Sequence, residues 1–213
     1  MAKQNSVNLD ITNNSDGFDV SGGATSRKLT ITGADMTLTG SGTATIKLPT
    51  VSTNLAGTSI VFTPLDNQPP GTNYATMDSR NAIMILDFDA STDESAIFVG
   101  VIPQGMILSS GVVVRIIWMA TSATSGSCRW GAQIERMNSD MDGDSFDTAG
   151  TAGTATNGTS GIPNITEITL TNIDGISSGD PFRVKVYRDA DGTSGTDDMT
   201  GDAELIAVEI RSA

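Results

Sequence analysis

The chain has 213 residues, of which 5% are aromatic and 17% are charged, and it is rich in glycine, serine and threonine. Its 12 basic and 25 acidic residues leave a net charge of -13 without any cluster of lysine or arginine, which excludes the basic surface that nucleic-acid binding requires. No apolar run approaches the roughly 20 residues needed to cross a bilayer, so we expect no membrane insertion.

Two features at the level of the whole chain indicate a cytoplasmic origin. The N-terminal run MAKQNSVNLDITNN lacks the apolar stretch of a signal peptide. The single cysteine, Cys128, cannot form an internal disulfide framework. We therefore expect synthesis in a cytoplasm, with Cys128 as a small buried hydrophobic residue and not a reactive thiol.

Residues 1–60 alternate apolar side chains with threonine, and glycines separate the runs. This period of two predicts a short β-ribbon or meander, whose apolar faces are too thin to be stable alone. We predict that residues 1–60 are an oligomerisation or docking module that pairs with the downstream domain or with copies of itself around a symmetry axis. The predicted interface residues are Leu29, Ile31, Met36, Leu38, Ile46 and Leu48.

Residues 61–75 contain Pro64, Pro69, Pro70 and Gly71, which predicts an extended linker. After it, residues 76–213 contain longer apolar strands separated by Gly, Ser and Asp turns. The predicted strands are 82–88, 96–102, 111–120, 127–137, 167–173, 182–187 and 203–210, and 145–161 is predicted to be a surface loop. The fold class is therefore all-β, with a C-terminal antiparallel β-sandwich of jelly-roll type.

Large and charged side chains within these strands have predicted positions as well. Trp118 and Trp130 lie on strands that follow one another, and we expect them to share the core and not to form a ligand platform. Arg115, Arg129 and Arg183 are expected to point outward or toward carboxylates on neighbouring strands.

Both halves of the chain carry sequence likenesses. The N-terminal segments NLDITN (8–13), GFDVSGG (17–23), RKLTIT (27–32), MTLTGSG (36–42), ATIKLP (44–49) and NLAG (54–57) resemble a module of bacteriophage tail-fibre, head-fibre and related virion proteins. The stretches LDFDASTDESAIFVGVIPQG, WMATSATSGSCRWGAQIER, RVKVYRDADG and DMTGDAELIAVEIR are similar to a domain of uncharacterised phage and prophage proteins. The resemblance implies a β-rich, trimeric virion component that is displayed on the capsid or the tail.

The residue types that usually carry catalysis are scarce. Histidine is absent, which excludes Ser-His and Cys-His nucleophiles, and one cysteine cannot build a zinc site. Carboxylate pairs such as Asp87 with Asp89, or Asp93 with Glu94, could serve a glycosidase, but the few aromatic residues leave little for a sugar subsite. We expect no enzymatic activity.

Aspartate-rich loops leave calcium open as a cofactor. Asp140, Asp142 and Asp144 form a D-x-D-x-D run, and aspartates crowd a second loop between 189 and 202. The first run departs from an EF-hand loop, because Ser145 stands at its sixth position and Thr151 at its twelfth. The alternative is that these aspartates form turns and interact with solvent.

The function expected from these observations is a non-enzymatic virion structural protein, such as a capsid decoration or cement protein, a head fibre or a short tail fibre. Its expected partners are copies of itself, as a homotrimer, together with capsid or tail proteins. The alternative is an adhesin of the tail that binds a host-surface glycan. A depolymerising tailspike is a third alternative.

Overall fold

A computed structural model describes residues 58–138 and 143–213, which lie within one compact unit, Val51–Ala213. The described residues form ten strands and one 3₁₀ helix, Pro64–Asp66, and none of their helices is long and apolar enough to cross a membrane. The strands are β1 Ser59–Phe62, β2 Thr76–Arg80, β3 Ile83–Phe88, β4 Glu94–Val101, β5 Val112–Ala120, β6 Ser127–Arg136, β7 Gly150–Ala155, β8 Asn164–Leu170, β9 Pro181–Arg188 and β10 Ala203–Ser212.

The strands form two antiparallel sheets. The six-stranded sheet has the order β2-β3-β10-β5-β8, and β1 pairs with the part of β10 that β3 does not reach. The four-stranded sheet has the order β4-β9-β6-β7. Apart from β6 and β7, which pair with each other, successive strands from β3 to β10 lie in opposite sheets. The resulting orders β3-β10-β5-β8 and β4-β9-β6-β7 are those of a jelly roll. The predicted fold class is confirmed.

The core lies between the two sheets and contains both tryptophans. Trp118 on β5 and Trp130 on β6 are fully buried, and their ring centroids are 6.1 Å apart. The ring of Phe88 meets that of Trp130 edge-on at 4.8 Å. Aromatic pairs of this geometry add to the stabilisation from burial. The expected core position of the tryptophans is confirmed, and Cys128 is buried beside them.

The predicted linker, 61–75, differs in the structure because its chain packs against both sheets. Phe62 on β1 belongs to the core and stacks on Phe98 at 5.4 Å. Asn67 and Gln68 then bond the backbone of Ile97 on the edge strand β4, at 3.0 and 2.7 Å. Prolines interrupt regular pairing, but the amides and carbonyls around them still bond a strand edge, so a proline-rich composition did not indicate a free connection.

The predicted loop 145–161 also differs, because it contains strand β7. This strand pairs with β6 over the whole of Gly150–Ala155. Glycine, alanine and threonine carry little of the apolar alternation that marks a strand, so β7 was not visible in the sequence. The seven predicted strands agree with β3, β4, β5, β6, β8, β9 and β10 to within a few residues. The predicted interface residues between Leu29 and Leu48, and Asp140 and Asp142, lie outside the described residues.

Candidate functional site

The outer face of the four-stranded sheet holds the richest group of polar and aromatic side chains. Strand β9 sets its pattern, because Phe182, Val184 and Val186 point into the core with no exposed surface. The residues between them, Arg183, Lys185 and Tyr187, therefore point outward. The register places Lys185 opposite Gln133 and Tyr187 opposite Gly131, both on β6.

Tyr187 is the centre of this face. Its neighbours across the sheet are Ser95 on β4 and Gly131 on β6, and Thr151 on β7 pairs with Gly131. A Cβ atom at Gly131 would overlap Cζ of Tyr187. The phenol ring therefore lies against the backbone of Gly131, in space that any other residue would fill.

The Tyr187 hydroxyl is a neutral hydrogen-bonding group at physiological pH. Burial raises the pKa of Tyr187, and the negative charges of Asp189 and Asp93 raise it further, while Arg129 has the opposite effect. The phenol therefore keeps its proton and can donate a hydrogen bond from the rim of the ring.

An open cavity of about 440 Å³ lies beside the Tyr187 ring. Strands β4, β6 and β9 and the chain before β2 supply its walls. Its size falls within the range of small-molecule sites in proteins. The lining residues are Asn73, Asp93, Glu94, Ser95, Gln133, Ala149, Lys185 and Tyr187.

A second aromatic ring, Phe146, belongs to the connection between β6 and β7 and lies over the same face. The guanidinium carbon of Arg183 is 4.6 Å from the Phe146 ring centroid. The Lys185 Nζ lies 5.3 Å from this centroid and 5.4 Å from that of Tyr187. The ammonium group thus stands between two rings at cation–π distance, and burial lowers the pKa of Lys185.

Arg115, Arg129 and Arg183 point outward or toward carboxylates on neighbouring strands, as the sequence predicted. Arg183 Nε donates to Oε2 of the fully buried Glu135 at 2.7 Å, and Arg115 Nη1 donates to Glu209 at 3.1 Å. Arg129 points outward and bonds two hydroxyls instead, Thr151 Oγ1 at 2.8 Å and Ser194 Oγ at 3.4 Å. It lies two residues before Gly131 and so faces the same side of the sheet.

Of the first predicted calcium group, Asp144 is the member that the structure describes. It lines a cavity of about 540 Å³ together with Asp147 and Asp174. Two of these carboxylates hold the local backbone: Asp147 accepts the Asp174 amide at 3.1 Å, and Asp174 accepts the Arg136 amide at 2.9 Å. Hydrogen bonds, chiefly from the Thr148 amide, lower the pKa of Asp147.

The second aspartate-rich loop brings together three carboxylates, one of them from outside the loop. Oxygens of Asp93, Asp189 and Asp191 all lie within 4.8 Å of one another. Asp189 is buried and already accepts hydrogen bonds from Thr193 Oγ1 at 3.0 Å and from the Ser194 amide at 2.9 Å. Asp189 therefore stabilises a turn of this loop, while the three carboxylates are close enough to share a metal ion, so the calcium site stays a prediction.

The carboxylate pairs considered for hydrolysis have separate environments. Asp89 accepts the amides of Ser91 and Thr92 and so forms a turn. Asp87 is half-buried on β3, where burial and the charge of Glu204 raise its pKa to about 6. Asp93 and Glu94 line the Tyr187 cavity, but each accepts a backbone amide, from Asp191 at 3.1 Å and from Asp89 at 2.9 Å.

The class that the fold defines is a jelly-roll β-sandwich with a polar, aromatic-centred groove on one sheet. No protein-family model and no curated protein sequence matches the chain. Among solved structures, TmCBM61 in complex with β-1,4-galactotriose is similar at 11% identity and a TM-score of 0.36, covering 72% of this chain and 88% of that one.

Two further solved structures are similar at the same level. For the xylan-binding module CBM15 the identity is 11% and the TM-score 0.39, over 73% of this chain and 98% of that one. The family 11 carbohydrate-binding module from Clostridium thermocellum, in complex with a β-1,3-1,4-mixed-linked tetrasaccharide, shares 8% identity at a TM-score of 0.36, over 75% and 92% of the two chains. At these values the likeness transfers no function to this chain.

Proposed function

We propose that the jelly roll is a non-catalytic module that binds a sugar chain across the outer face of its four-stranded sheet. The observation that carries this proposal is the Tyr187 ring, which lies on Gly131 beside an open, polar cavity. A ring held against the sheet is pre-organised, so little conformational entropy is lost when a ligand stacks on it.

The chemistry around the ring suits a sugar. A sugar presents C–H groups on its faces, which pack against an aromatic ring, and hydroxyls at its edge, which need hydrogen-bonding partners. Asn73, Ser95 and Gln133 line the cavity, and their amide and hydroxyl groups can both donate and accept hydrogen bonds. The cavity is open to solvent, so a sugar bound in it can belong to a longer chain.

We propose binding without turnover because of the state of the groove carboxylates. A glycosidase needs one carboxyl group free to donate a proton and a second free to act as nucleophile or base. Asp93 and Glu94 are held by backbone amides instead, as described above. Release of reducing ends from a bound polysaccharide would contradict this part of the proposal and favour a depolymerase.

The binding proposal is tested by replacing Tyr187. We expect Tyr187→Ala to weaken binding to oligosaccharides on a glycan array by at least about tenfold, the equivalent of one stacking contact of ~1.4 kcal/mol. The matched control is Tyr74→Ala, because Tyr74 is the other tyrosine of the chain, is 50% exposed and does not line the cavity. Equal binding by Tyr187→Ala and the unaltered protein would refute the proposal.

We propose separately that the chain displays this module on a bacteriophage particle. The support is the sequence resemblance of residues 8–57 and of the stretches after 85 to phage proteins. On this proposal the chain joins capsid or tail proteins, and the groove contacts a host-surface glycan. Antibody labelling of purified particles is the test: label on the capsid or tail would support it, and its absence from particles that were made in the presence of the protein would refute it.

A further inference from the structure

Eight of the 12 basic residues lie in residues 58–213, together with 21 of the 25 acidic ones. Six of these eight cations form ion pairs with carboxylates among the described residues: Arg80, Arg115, Arg136, Arg183, Arg188 and Arg211. Within residues 58–138 and 143–213, Arg129 and Lys185 are the two without a carboxylate partner. Carboxylates far outnumber cations in this domain, so two cations without an ion pair are unusual.

Both exceptions lie beside Tyr187. Lys185 is two residues before it on β9, and Arg129 is two residues before Gly131, the residue on which the Tyr187 ring lies. The two cations therefore flank the ring on opposite sides along the strand direction. Hydroxyls of Thr151 and Ser194 hold the Arg129 guanidinium, and the Phe146 and Tyr187 rings hold the Lys185 ammonium.

An unpaired cation on a half-covered surface gains from an anionic ligand. Removing an ammonium group from water without a counter-ion is unfavourable, and a ligand carboxylate would offset that cost. The carboxylates near the ring already hold other groups: Asp93 and Glu94, on the β4 side, accept backbone amides. Asp189 accepts the amide and the hydroxyl of Ser194, the same hydroxyl that accepts from Arg129. The side of the ring toward β6 and β7 is therefore the one that suits a negative group.

We infer that the groove selects an acidic glycan, whose carboxylates contact Lys185 and Arg129 while one of its sugars stacks on Tyr187. This inference rests on the proposed function and adds the class of ligand to it. The net charge of the chain is -13, so the long-range field repels an acidic chain, and the attraction comes from contact at these two cations. Salt screens long-range repulsion, and we therefore expect the affinity to be retained when the salt concentration is raised.

Matched pairs of probes test the inference by titration calorimetry. Tetragalacturonate is compared with its methyl ester, and 3′-sialyllactose with lactose. The two pairs detect binding of a uronic and of a sialic carboxylate, respectively. We expect at least one acidic member to bind about tenfold more tightly than its neutral partner, as one charge-assisted contact provides. Lys185→Met and Arg129→Gln should each remove most of that preference, and Lys185→Arg should retain it. Arg115→Gln, on the other sheet, is the control.

Failure of the inference and failure of the proposed function have different signatures. If neutral members bind as tightly as acidic ones, lose affinity in Tyr187→Ala and are indifferent to Lys185→Met, the inference is wrong and the sugar-binding groove stands. If neither acidic nor neutral members bind the unaltered protein, the inference is refuted for both carboxylate types. In that case a full glycan array without any hit that depends on Tyr187 refutes the proposed function as well.

Discussion

Arg188 and Asp197 form a two-pronged ion pair inside the jelly roll. Arg188 Nη2 lies 2.7 Å from Asp197 Oδ1, and Nε lies 3.0 Å from Oδ2. The side chains are 0% and 1% exposed. The three remaining guanidinium hydrogens bond the carbonyls of Met199 at 2.7 Å, Gly201 at 2.8 Å and Phe88 at 3.4 Å. One arginine at the end of β9 thus anchors the loop that leads to β10.

We predict that Asp197→Ala lowers the free energy of unfolding by about 3–5 kcal/mol, because it leaves a buried guanidinium without its counter-ion. Urea denaturation measures the change. The control is Arg211→Ala, which removes an ion pair whose side chains are 40% and 47% exposed and should cost about 1 kcal/mol or less. A loss for Asp197→Ala no larger than that of the control would show that the buried pair contributes little.

The contact between Tyr187 and Gly131 predicts a specific effect of one methyl group. Gly131→Ala should displace the ring, weaken glycan binding by about tenfold and destabilise the fold by about 1–3 kcal/mol through overpacking. In the background of Tyr187→Ala the same substitution should cost much less stability, because its clash partner is gone. Gly153→Ala on β7 is the matched control, since its Cβ would meet no atom closer than 3.6 Å.

A double-mutant cycle measures the coupling between these two positions. Additive effects of Gly131→Ala and Tyr187→Ala on the free energy of unfolding would contradict a ring that rests on the glycine. Calorimetric titration of Gly131→Ala with the glycan that binds most tightly on the array then measures how far displacement of the ring lowers the affinity.

Asp87 predicts a pH-dependent loss of stability. Its carboxylate faces Glu204 across the β3–β10 pair, and Oδ1 is buried without a hydrogen-bond partner in the described part of the chain. Burial first, then the charges of Glu204, Asp202, Asp78 and Glu94, raise the pKa from 3.8 to about 6. The native state therefore keeps a proton that the unfolded chain loses between these two values. Stability falls as the pH rises through this window, and the loss persists above it.

Asp87→Asn removes the ionisation and should stabilise the protein at about pH 7.5 more than at about pH 4. The side chain is only half-buried, so solvent screening limits the gain to about 1 kcal/mol. Thermal unfolding at both pH values measures it, and Glu167→Gln, an exposed carboxylate of the same sheet, is the control. An equal change in melting temperature at both pH values would contradict the assignment.

The sequence was most informative where alternation is strong. The runs IMILDF and PFRVKVYR predict the strands β3 and β9. Because helical periodicity is not sustained anywhere, the sequence predicts an all-β sandwich. Strand β7 was missed because GTAGTA has almost no apolar contrast, and only its pairing with the preceding strand β6 identifies it as a strand.

The site was harder to predict, because it depends on register. Alternation in β9 does place Arg183, Lys185 and Tyr187 on one face, so part of the signal was present in the sequence. The pairing that puts Gly131 under Tyr187 joins residues 56 positions apart, and Phe146 arrives from a loop. Asp93 joins Asp189 and Asp191 in the same way, from a different strand connection. Neither juxtaposition follows from local pattern.

The prediction that residues 1–60 drive self-association can be tested on the full chain and on a truncation. The predicted interface residues Leu29 and Ile46 are aliphatic and alternate with threonine, so replacing either by aspartate would place a charge on the predicted apolar face of the ribbon. We expect the full chain to elute at about three times the 22.0 kDa of one chain in light-scattering chromatography, and Leu29→Asp and Ile46→Asp to elute as monomers. Deleting residues 1–57 should likewise give a monomer that unfolds cooperatively, since β1 to β10 and the core residues of the described part of the chain all follow this point. Thr30→Asp is the control, because the predicted period of two places the threonines on the opposite face of the ribbon. A full chain that is monomeric at micromolar concentration would refute the docking module, and a truncated chain that still trimerises would move the interface to the jelly roll.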